Sequence, residues 1–406
     1  MKRYVVIGAS AAGLNGIDIL RRVDKEAEIT VISEERDIYS KCIMHYYMSG
    51  DKKKEDLCFV EKYFFEKRSV CCKLGEAALA IKREEKVVVL DSGEKVPYDK
   101  LLLATGSHAF VPDIEGSAGA KNMCAFHRLE DCEHVMKLAE TAENIVILGA
   151  GLVGVDIAYG LLNRKKKITI LDLKEHMMAI QLDACAASCY EEAFAEYGVE
   201  QIYHTGISKV VQDATGNIVE LVLTDERKIP CDLLIIAAGT RANVTLAKEC
   251  GLQTDGYGLV IDETCKTSDP DIYGAGDVTG RNMIWSVAAK EAMTAAYHMA
   301  GETYQMTDFF DGKSTIHIFK IPTLAYGLPE PPDDTYSVEI RKGSDGSYQK
   351  MIHKDGKIYG ILLQKDLRYA GVLNQLISSR PDLTAVKKPL FDIDYADLLV
   401  MTGFAE

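Results

Sequence analysis

Apolar residues in the first half of the chain alternate between strand-like runs and helical spacing. Residues 2–8 (KRYVVIG) form a run rich in β-branched residues that ends at glycine, and a helical pattern follows from Ala12 to Val23. A second run, EITVIS, occupies residues 28–33. Strand, helix and strand in this order predict a βαβ unit with two parallel strands.

This unit returns later in the chain. Residues 144–149 (NIVILG) repeat the first strand, a helical stretch runs to about Arg164, and residues 167–172 (KITILD) repeat the second strand. A further pair of matching runs follows the two units, YDKLLLATG at 98–106 and CDLLIIAAG at 231–239. Because the repeat extends over this distance, it predicts a duplicated nucleotide-binding domain.

The pattern changes beyond Gly301, where short alternating runs such as YSVEIRK and YQKMIHKDGKIYGILLQ lie between turn residues. A proline-rich break at 329–332 indicates a turn or linker. We therefore predict an α/β protein with two Rossmann-like dinucleotide-binding domains and a third, α+β domain at residues 312–406.

The charge of the chain limits its partners. Its 406 residues include 47 Lys+Arg and 61 Asp+Glu, a formal net charge of −14, and 47% are hydrophobic. An acidic globular protein of this kind has no general affinity for nucleic acid or anionic membranes. The longest apolar stretch, Ile145 to Leu162, contains four glycines and Asp156, which argues against a membrane span. We expect neither nucleic acid nor a membrane as a partner.

Eleven cysteines fall between Cys42 and Cys265, without a C-x-x-C pair or a zinc-type spacing. An odd number in this arrangement indicates neither a disulfide framework nor a metal site. We expect a protein of the reducing cytoplasm that holds no metal.

The first glycine motif, GASAAG, runs from Gly8 to Gly13 between the first strand and the first helix. Gly8 permits a tight turn, a small residue at Ser10 lets backbone N–H groups approach a pyrophosphate, and Gly13 lets the helix pack closely on the strand. An acid, Glu34 or Glu35, follows at the end of the second strand, where it would accept hydrogen bonds from an adenosine ribose. This context predicts a dinucleotide site.

The second glycine motif, GAGLVG at 149–154, is the complete fingerprint, and Asp172 ends the next strand. An acid there pairs with a free ribose hydroxyl and repels a 2′-phosphate, which favours NAD over NADP. Lys174 is the one feature that softens this preference. Two dinucleotide sites on one chain are best explained by a flavin and a nicotinamide that exchange a hydride.

The segment TSDPDIYGAGDV at 267–278 resembles the flavin-contacting motif of the pyridine nucleotide-disulfide oxidoreductase family. In that family an Asp of this motif hydrogen-bonds the ribityl chain of FAD, and the matching residue is Asp277. Residues 101–116 and 233–243 resemble the family's two connections between its FAD and NAD domains. The resemblance covers essentially the whole chain.

This resemblance implies a discontinuous FAD-binding domain at 1–115 and 240–311, an NAD-binding domain at 116–239 and a C-terminal interface domain at 312–406. The residues expected to contact FAD are Gly8, Ser10, Ala11, Ala12, Gly13, Glu34, Glu35, Lys41, Cys42, Ala104, Thr105, Gly106, Gly276, Asp277 and Trp285. Those expected to contact NADH are Gly149, Gly151, Leu152, Val153, Gly154, Asp172 and Gly239.

Within the family, the C-terminal segment at residues 336–377 (YSVEIRK to NQLI) is most similar to NADH:rubredoxin reductases and to the flavin portion of nitrite reductases. The implied function is hydride transfer from NADH to FAD and then electron transfer to a small redox protein such as rubredoxin. The resemblance also implies a homodimer. Trp285 either lies near the flavin or packs two domains together.

The possible functions of the chain differ in the role that they give to Cys42. It lies in DIYSKCIMHYYMSG, where a short helix is expected to start near the cysteine and end at Gly50. A helix N-terminus and the neighbouring Lys41 would lower the pKa of the thiol. The segment resembles NADH peroxidases, NADH oxidases and coenzyme A-disulfide reductases, although peroxidases carry a histidine at the position of Ala11.

Three functions therefore stay open. The first is electron transfer to a small carrier protein. The second uses Cys42 as a redox thiol in an NADH oxidase or a coenzyme A-disulfide or persulfide reductase, so that the acceptor is a small molecule. The third is a non-catalytic flavoprotein subunit or redox sensor.

Overall fold

The computed structural model describes residues 1–306, 312–384 and 386–401. The chain divides into two compact units. The first contains residues 1–111, 125–136 and 239–306, and the second contains the described residues of 112–124, 137–238 and 307–406. The division into three domains stays a prediction. The predicted boundary between residues 311 and 312 adjoins residues 307–311, which lie outside the described residues. The last five residues of the predicted C-terminal domain, 402–406, also lie outside them.

Both units contain strands and helices. The strands are β1 (Arg3–Ile7), β2 (Glu28–Ser33), β3 (Val70–Leu74), β4 (Ala78–Lys82), β5 (Val87–Leu90), β6 (Lys95–Pro97), β7 (Lys100–Leu103), β8 (Ser107–Ala109), β9 (Met123–Ala125), β10 (Asn144–Leu148), β11 (Lys167–Leu171), β12 (Glu200–Ile202), β13 (Ile207–Gln212), β14 (Ile218–Leu223), β15 (Lys228–Pro230), β16 (Leu233–Ile236), β17 (Thr240–Ala242), β18 (Ile272–Gly274), β19 (Lys313–Ile316), β20 (Thr323–Gly327), β21 (Ser337–Lys342), β22 (Tyr348–Lys354) and β23 (Lys357–Gln364). The helices are α1 (Ala11–Val23), α2 (Met44–Ser49), α3 (Phe64–Lys67), α4 (Leu129–Thr141), α5 (Leu152–Leu161), α6 (Ala184–Glu196), α7 (Thr245–Glu249), α8 (Trp285–Ala300), α9 (Ala370–Ser379) and α10 (Tyr395–Met401).

The first unit is built on a parallel sheet with the strand order β18-β7-β1-β2-β3. Alternate residues of β1 face opposite sides, as the strand period requires. Tyr4 and Val6 belong to the core shared with α1 and α8, whereas Val5 and Ile7 belong to the core shared with the small antiparallel sheet β4-β5-β6. Both faces of the parallel sheet are therefore covered.

The register of this sheet places the predicted site residues at one edge. Ile7 pairs with Ile32 of β2 and with Leu103 of β7, and Leu103 also pairs with Gly274 of β18. The residues that follow these four positions therefore emerge together at the carboxyl ends of the strands. Ligands bind at this edge in open α/β sheets.

The second unit repeats this plan with the strand order β12-β11-β10-β16-β9. Leu148 of β10 pairs in parallel with Leu171 of β11 and with Ile236 of β16, so the second glycine motif and Asp172 follow adjacent strands. The predicted duplication and the α/β fold class are confirmed, because β7 and β16 occupy the same place beside β1 and β10.

The C-terminal part of the second unit is an antiparallel sheet with the strand order β19-β20-β23-β22-β21, and α9 packs on it. The predicted α+β texture is confirmed. A buried polar cluster attaches α6 to this sheet: Asp183 accepts hydrogen bonds from the Tyr348 hydroxyl at 2.6 Å and the Ala186 N–H at 2.9 Å. The Lys350 Nζ lies 3.0 Å from the Asp183 carboxylate.

A helix that crosses a bilayer needs about 20 consecutive, predominantly apolar residues. No helix formed by the described residues is both long enough and apolar enough to cross a membrane.

Candidate functional site

The first glycine motif forms a tight turn against two neighbouring chain segments. Gly8 has a φ of +114°, and a Cβ placed there would lie 2.0 Å from the Ala104 carbonyl oxygen. A Cβ at Gly13 would lie 1.9 Å from the Gly8 carbonyl oxygen. Only glycine fits at both positions, so the start of α1 packs directly on the strand ends. The first N–H groups of α1 have no intrahelical acceptor and can receive an anion.

A cavity of about 310 Å³ opens in front of this turn, within the first unit. It fits a dinucleotide, because the glycine turn and the helix start lie on one side and two carboxylates lie on another. The predicted FAD residues that line it are Gly8, Ser10, Glu34, Glu35, Lys41, Ala104, Thr105 and Gly106. The predicted FAD residues outside its lining are Ala11, Ala12, Gly13, Cys42, Gly276, Asp277 and Trp285.

The acidic side of the cavity contains an arginine that sequence reasoning missed. Arg128 donates a hydrogen bond from Nη2 to the Glu34 carboxylate, and its Nε lies 3.8 Å from the Glu35 carboxylate. Tyr39 anchors the same segment, since its hydroxyl accepts a hydrogen bond from the Leu129 N–H at 3.0 Å. Arg128 lies far from both acids in the sequence and belongs to no motif, so no local signal could identify it.

Lys41 supplies a positive charge to the same cavity. Burial lowers the pKa of its ammonium group below the ordinary lysine value, and the charges of Glu35 and Asp277 partly offset this. A half-buried cation in a ligand cavity gains stability when an anionic group binds beside it. Lys41 therefore suits the pyrophosphate of a dinucleotide.

Asp277 is held in place by a second residue that sequence reasoning missed. The Ser107 hydroxyl donates a 2.7 Å hydrogen bond to the Asp277 carboxylate. Gly276, just before it, has a φ of +81°, and a Cβ there would lie 3.0 Å from the Ala12 Cβ and 3.3 Å from the Ala288 Cβ. The structure thus brings the Asp277 turn against the first glycine motif and against α8.

Trp285 is the first residue of α8 and is partly buried within the first unit. Its ring packs edge-to-face on Phe59, with 4.5 Å between the ring centroids. The position of Trp285 relative to a bound flavin stays a prediction.

Cys42 lies in a 3₁₀ turn, Lys41–Ile43, that leads into α2. The predicted short helix is confirmed, and Gly50 ends it with a φ of +83°. The Cys42 side chain is exposed, so a disulfide or persulfide could reach the sulfur. The lowered pKa of this thiol stays a prediction.

The second glycine motif has the same construction in the second unit. A Cβ at Gly149, whose φ is +118°, would lie 2.3 Å from the Ala237 carbonyl oxygen, and a Cβ at Gly154 would lie 1.8 Å from the Gly149 carbonyl oxygen. A Cβ at Gly151 would meet no atom of the described residues within 4 Å. Gly149 and Gly154 therefore shape the turn, whereas Gly151 leaves space in front of it.

Asp172 lies directly beside this turn. Its carboxylate accepts hydrogen bonds from the Ala150 N–H at 2.6 Å and from the Lys174 N–H at 2.8 Å. These bonds orient the carboxylate at the edge where a nicotinamide dinucleotide would place its ribose. Leu152 and Val153 form the first turn of α5.

The other NADH candidate is Gly239. It falls in the first unit, where its carbonyl oxygen accepts a 2.8 Å hydrogen bond from the Phe110 N–H. The part of the chain that the structure describes contains no cluster of three His, Cys, Asp or Glu side chains that could hold a metal ion.

A family model described as pyridine nucleotide-disulphide oxidoreductase matches residues 2–292 of the chain. The NAD(P)H nitrite reductase of Bacillus subtilis is 25% identical over 393 residues, which are 95% of this chain and 48% of that protein. The epsilon subunit of NADH-dependent phenylglyoxylate dehydrogenase from Aromatoleum evansii is 27% identical over 401 residues, which are 95% of this chain and 93% of that protein.

The chain spans about half the length of the first curated relatives it matches. Among solved structures, NADH:rubredoxin oxidoreductase from Clostridium acetobutylicum superposes with a TM-score of 0.75 at 20% sequence identity. The superposition covers 95% of this chain and 97% of that chain. At this identity the likeness shows a shared fold.

Proposed function

The chain belongs to the pyridine nucleotide-disulphide oxidoreductase family, and we propose that it passes electrons from NADH through FAD to a small electron-transfer protein such as rubredoxin. Family membership makes it an NAD(P)H-dependent oxidoreductase with FAD and NADH as cofactors.

One observation carries the proposal. The same arrangement of glycine turn, helix start and strand-end acid occurs twice, at Gly8–Gly13 with Glu34 and Glu35 and at Gly149–Gly154 with Asp172. Each arrangement suits one dinucleotide. A resident dinucleotide and an exchanging one are what an enzyme needs to relay electrons from NADH.

The residues of the first unit would hold FAD along the cavity. The N–H groups at the start of α1 and the Lys41 ammonium group suit its pyrophosphate, and Glu34 and Glu35 suit its ribose. Asp277, oriented by Ser107, would accept hydrogen bonds from the ribityl hydroxyls. When bound, FAD supplies the capacity to accept a hydride and release single electrons.

The names of the matched proteins support a protein acceptor. The Aromatoleum evansii relative is a subunit of a dehydrogenase, and the Clostridium acetobutylicum enzyme is named for rubredoxin. A solved complex of the same fold joins a reductase to putidaredoxin, at 22% identity and a TM-score of 0.81. These names belong to those proteins and serve here only as grounds for choosing acceptors to test.

A second candidate function uses the Cys42 thiol. Its side chain is exposed and follows Lys41, which lines the flavin cavity. Electrons would then pass from the flavin through this sulfur to a disulfide, a persulfide or oxygen. An NAD-dependent persulfide reductase from A. fulgidus shares the fold, with a TM-score of 0.82 at 24% identity.

The two candidates differ in an anaerobic titration of the holoenzyme with NADH. A redox-active Cys42 makes the protein take up electrons beyond those that FAD holds, and Cys42→Ser abolishes the excess. Cys58→Ser is the matched control, since Cys58 is another exposed thiol of the same unit. No excess, together with rapid turnover with oxidised rubredoxin in Cys42→Ser, supports the carrier-protein function.

Three further outcomes are informative. Rapid turnover that requires both Cys42 and a disulfide, persulfide or oxygen supports the second candidate. Slow turnover with every acceptor supports a non-catalytic flavoprotein subunit or a redox sensor. A purified protein that cannot take up flavin contradicts all three.

The homodimer and the cytoplasmic location stay predictions. Sedimentation of the holoenzyme tests the first, and fractionation of cells that express the chain tests the second.

A further inference from the structure

A buried carboxyl group on α8 lies directly behind the Asp277 turn. Glu291 is 9% exposed, and its Oε2 accepts a 2.7 Å hydrogen bond from the Gly276 N–H. Its Oε1 lies 3.5 Å from the Thr279 hydroxyl oxygen. The side chain thus contacts the backbone N–H of the residue that immediately precedes Asp277, although neither glycine motif includes Glu291.

Both polar groups of Gly276 are occupied by buried side chains. Glu291 accepts from its N–H, and the Thr279 hydroxyl donates to its carbonyl oxygen at 3.1 Å. The left-handed backbone of Gly276 leaves little room for other arrangements, because a Cβ there would touch Ala12. Glu291 therefore fixes the backbone just before Asp277, and the Ser107 hydroxyl fixes the Asp277 carboxylate.

We propose that Glu291 is a positioning residue for FAD, which fixes the Gly276 peptide so that Asp277 can bind the cofactor and which takes up a proton when FAD binds. The inference rests on the proposed flavin site at Asp277. The proton comes from solvent and ends on the Glu291 carboxyl group, and no covalent bond of the cofactor changes.

The surroundings of Glu291 explain why its carboxyl group can take up a proton. Burial raises its pKa from 4.5 to about 7, the charge of Asp277 adds to this, and the Gly276 N–H, the Thr279 hydroxyl and Arg281 oppose it. The Cys265 thiol also faces Glu291, and burial keeps this thiol neutral by raising its pKa.

A bound FAD adds the negative charge of its pyrophosphate and excludes water. Both changes favour the neutral form of a nearby carboxyl group. The affinity for FAD therefore falls as the pH rises above about 7, because the carboxylate must then be protonated at increasing cost.

The test measures the FAD dissociation constant by diluting the holoenzyme and following the fluorescence of released FAD, between about pH 6 and about pH 9. In the wild type the constant rises several-fold above about pH 7. In Glu291→Gln, whose amide oxygen still accepts from Gly276, the constant stays near the wild-type value at low pH and loses this rise. Glu291→Ala weakens binding about tenfold at every pH, because the Gly276 N–H loses its acceptor.

Glu302→Gln is the matched control, since Glu302 is exposed in the same unit, and it keeps the wild-type profile. A second measurement is proton uptake per FAD bound, followed with an indicator dye at about pH 8 in the wild type and in Glu291→Gln. Comparison with Glu291→Gln separates uptake by Glu291 from uptake by Lys41.

A wild-type dissociation constant that does not change with pH overturns the inference, as does a Glu291→Gln variant that keeps the wild-type rise. Either result leaves the proposed function intact if NADH still reduces the bound flavin. A wild type that binds no FAD at any pH contradicts the proposed function instead.

Discussion

Gly151→Ala is the substitution that most directly tests the second dinucleotide site. The added methyl group would meet no described protein atom within 4 Å, so folding should tolerate it. It would instead occupy the space in front of the turn, where a pyrophosphate must approach the backbone. Gly154→Ala cannot serve this purpose, since its methyl group would lie 1.8 Å from the Gly149 carbonyl oxygen and would disturb the fold itself.

The size of the effect follows from the hydrogen bonds that the methyl group displaces. The first N–H groups of α5 have no intrahelical acceptor, because the first bond of the helix runs from the Val155 N–H to the Gly151 carbonyl oxygen. A hydrogen bond to a charged group contributes about 1.5–3 kcal/mol. Loss of one such bond should weaken NADH binding about tenfold to about a hundredfold.

The assay is anaerobic stopped-flow reduction of the bound flavin over a range of NADH concentrations. Gly151→Ala should raise the NADH concentration that gives half-maximal rate and leave FAD content and thermal unfolding unchanged. Gly256→Ala is the matched control, since its methyl group also meets no described atom within 4 Å and Gly256 lies in the other unit. If Gly151→Ala binds NADH within about twofold of the wild type, the second motif is not the pyrophosphate site.

Three further predictions concern charged side chains. Asp277→Asn should lower FAD affinity about tenfold, since an amide accepts a weaker hydrogen bond than a carboxylate; unchanged FAD retention after gel filtration would contradict its role. Lys350→Met should reduce the free energy of unfolding by about 3–5 kcal/mol, because it leaves the buried Asp183 carboxylate without its cation. Lys209→Met, which breaks an exposed 2.7 Å ion pair of the same unit, should cost less than about 1 kcal/mol in the same urea denaturation, and equal losses would refute this reasoning. The pKa of Glu291 rises on folding from 4.5 to about 7. Its contribution to the free energy of unfolding is therefore full below about pH 4.5 and is lost as the pH rises to about 7, a loss of about 3 kcal/mol. Urea denaturation at several pH values should show this loss in the apoprotein but not in Glu291→Gln.

Much of the architecture could be predicted because its signals are local. Each βαβ unit depends on residues within about thirty positions of one another, and glycines at turns are required by backbone geometry that no partner changes. The duplication makes this prediction stronger, since the matching runs at 98–106 and 231–239 contain β7 and β16, which pair with β1 and β10 in the same way. The short helix after Cys42 and its end at Gly50 followed from the same kind of local pattern.

The side chains that complete the flavin site could not be found in this way. Arg128 reaches Glu34 across 94 sequence positions, and Ser107 reaches Asp277 across 170. Their residue types are common, and nothing in their immediate neighbours distinguishes them from other surface or turn residues. Ser107 and Asp277 meet because they follow β7 and β18, which are neighbours in the first parallel sheet. Arg128 reaches the cavity from the segment between β9 and α4, outside that sheet.

The sequence by itself determined that this chain has two dinucleotide-binding units and which glycines and acids mark them, because those features depend on local backbone conformation and on the periodicity of apolar residues. Only the tertiary structure decided which charges and hydroxyl groups surround each unit, and that Glu291 is buried behind Asp277. Burial and charge proximity are properties of the packed molecule, so the protonation of that carboxyl group has no signature in the order of its amino acids.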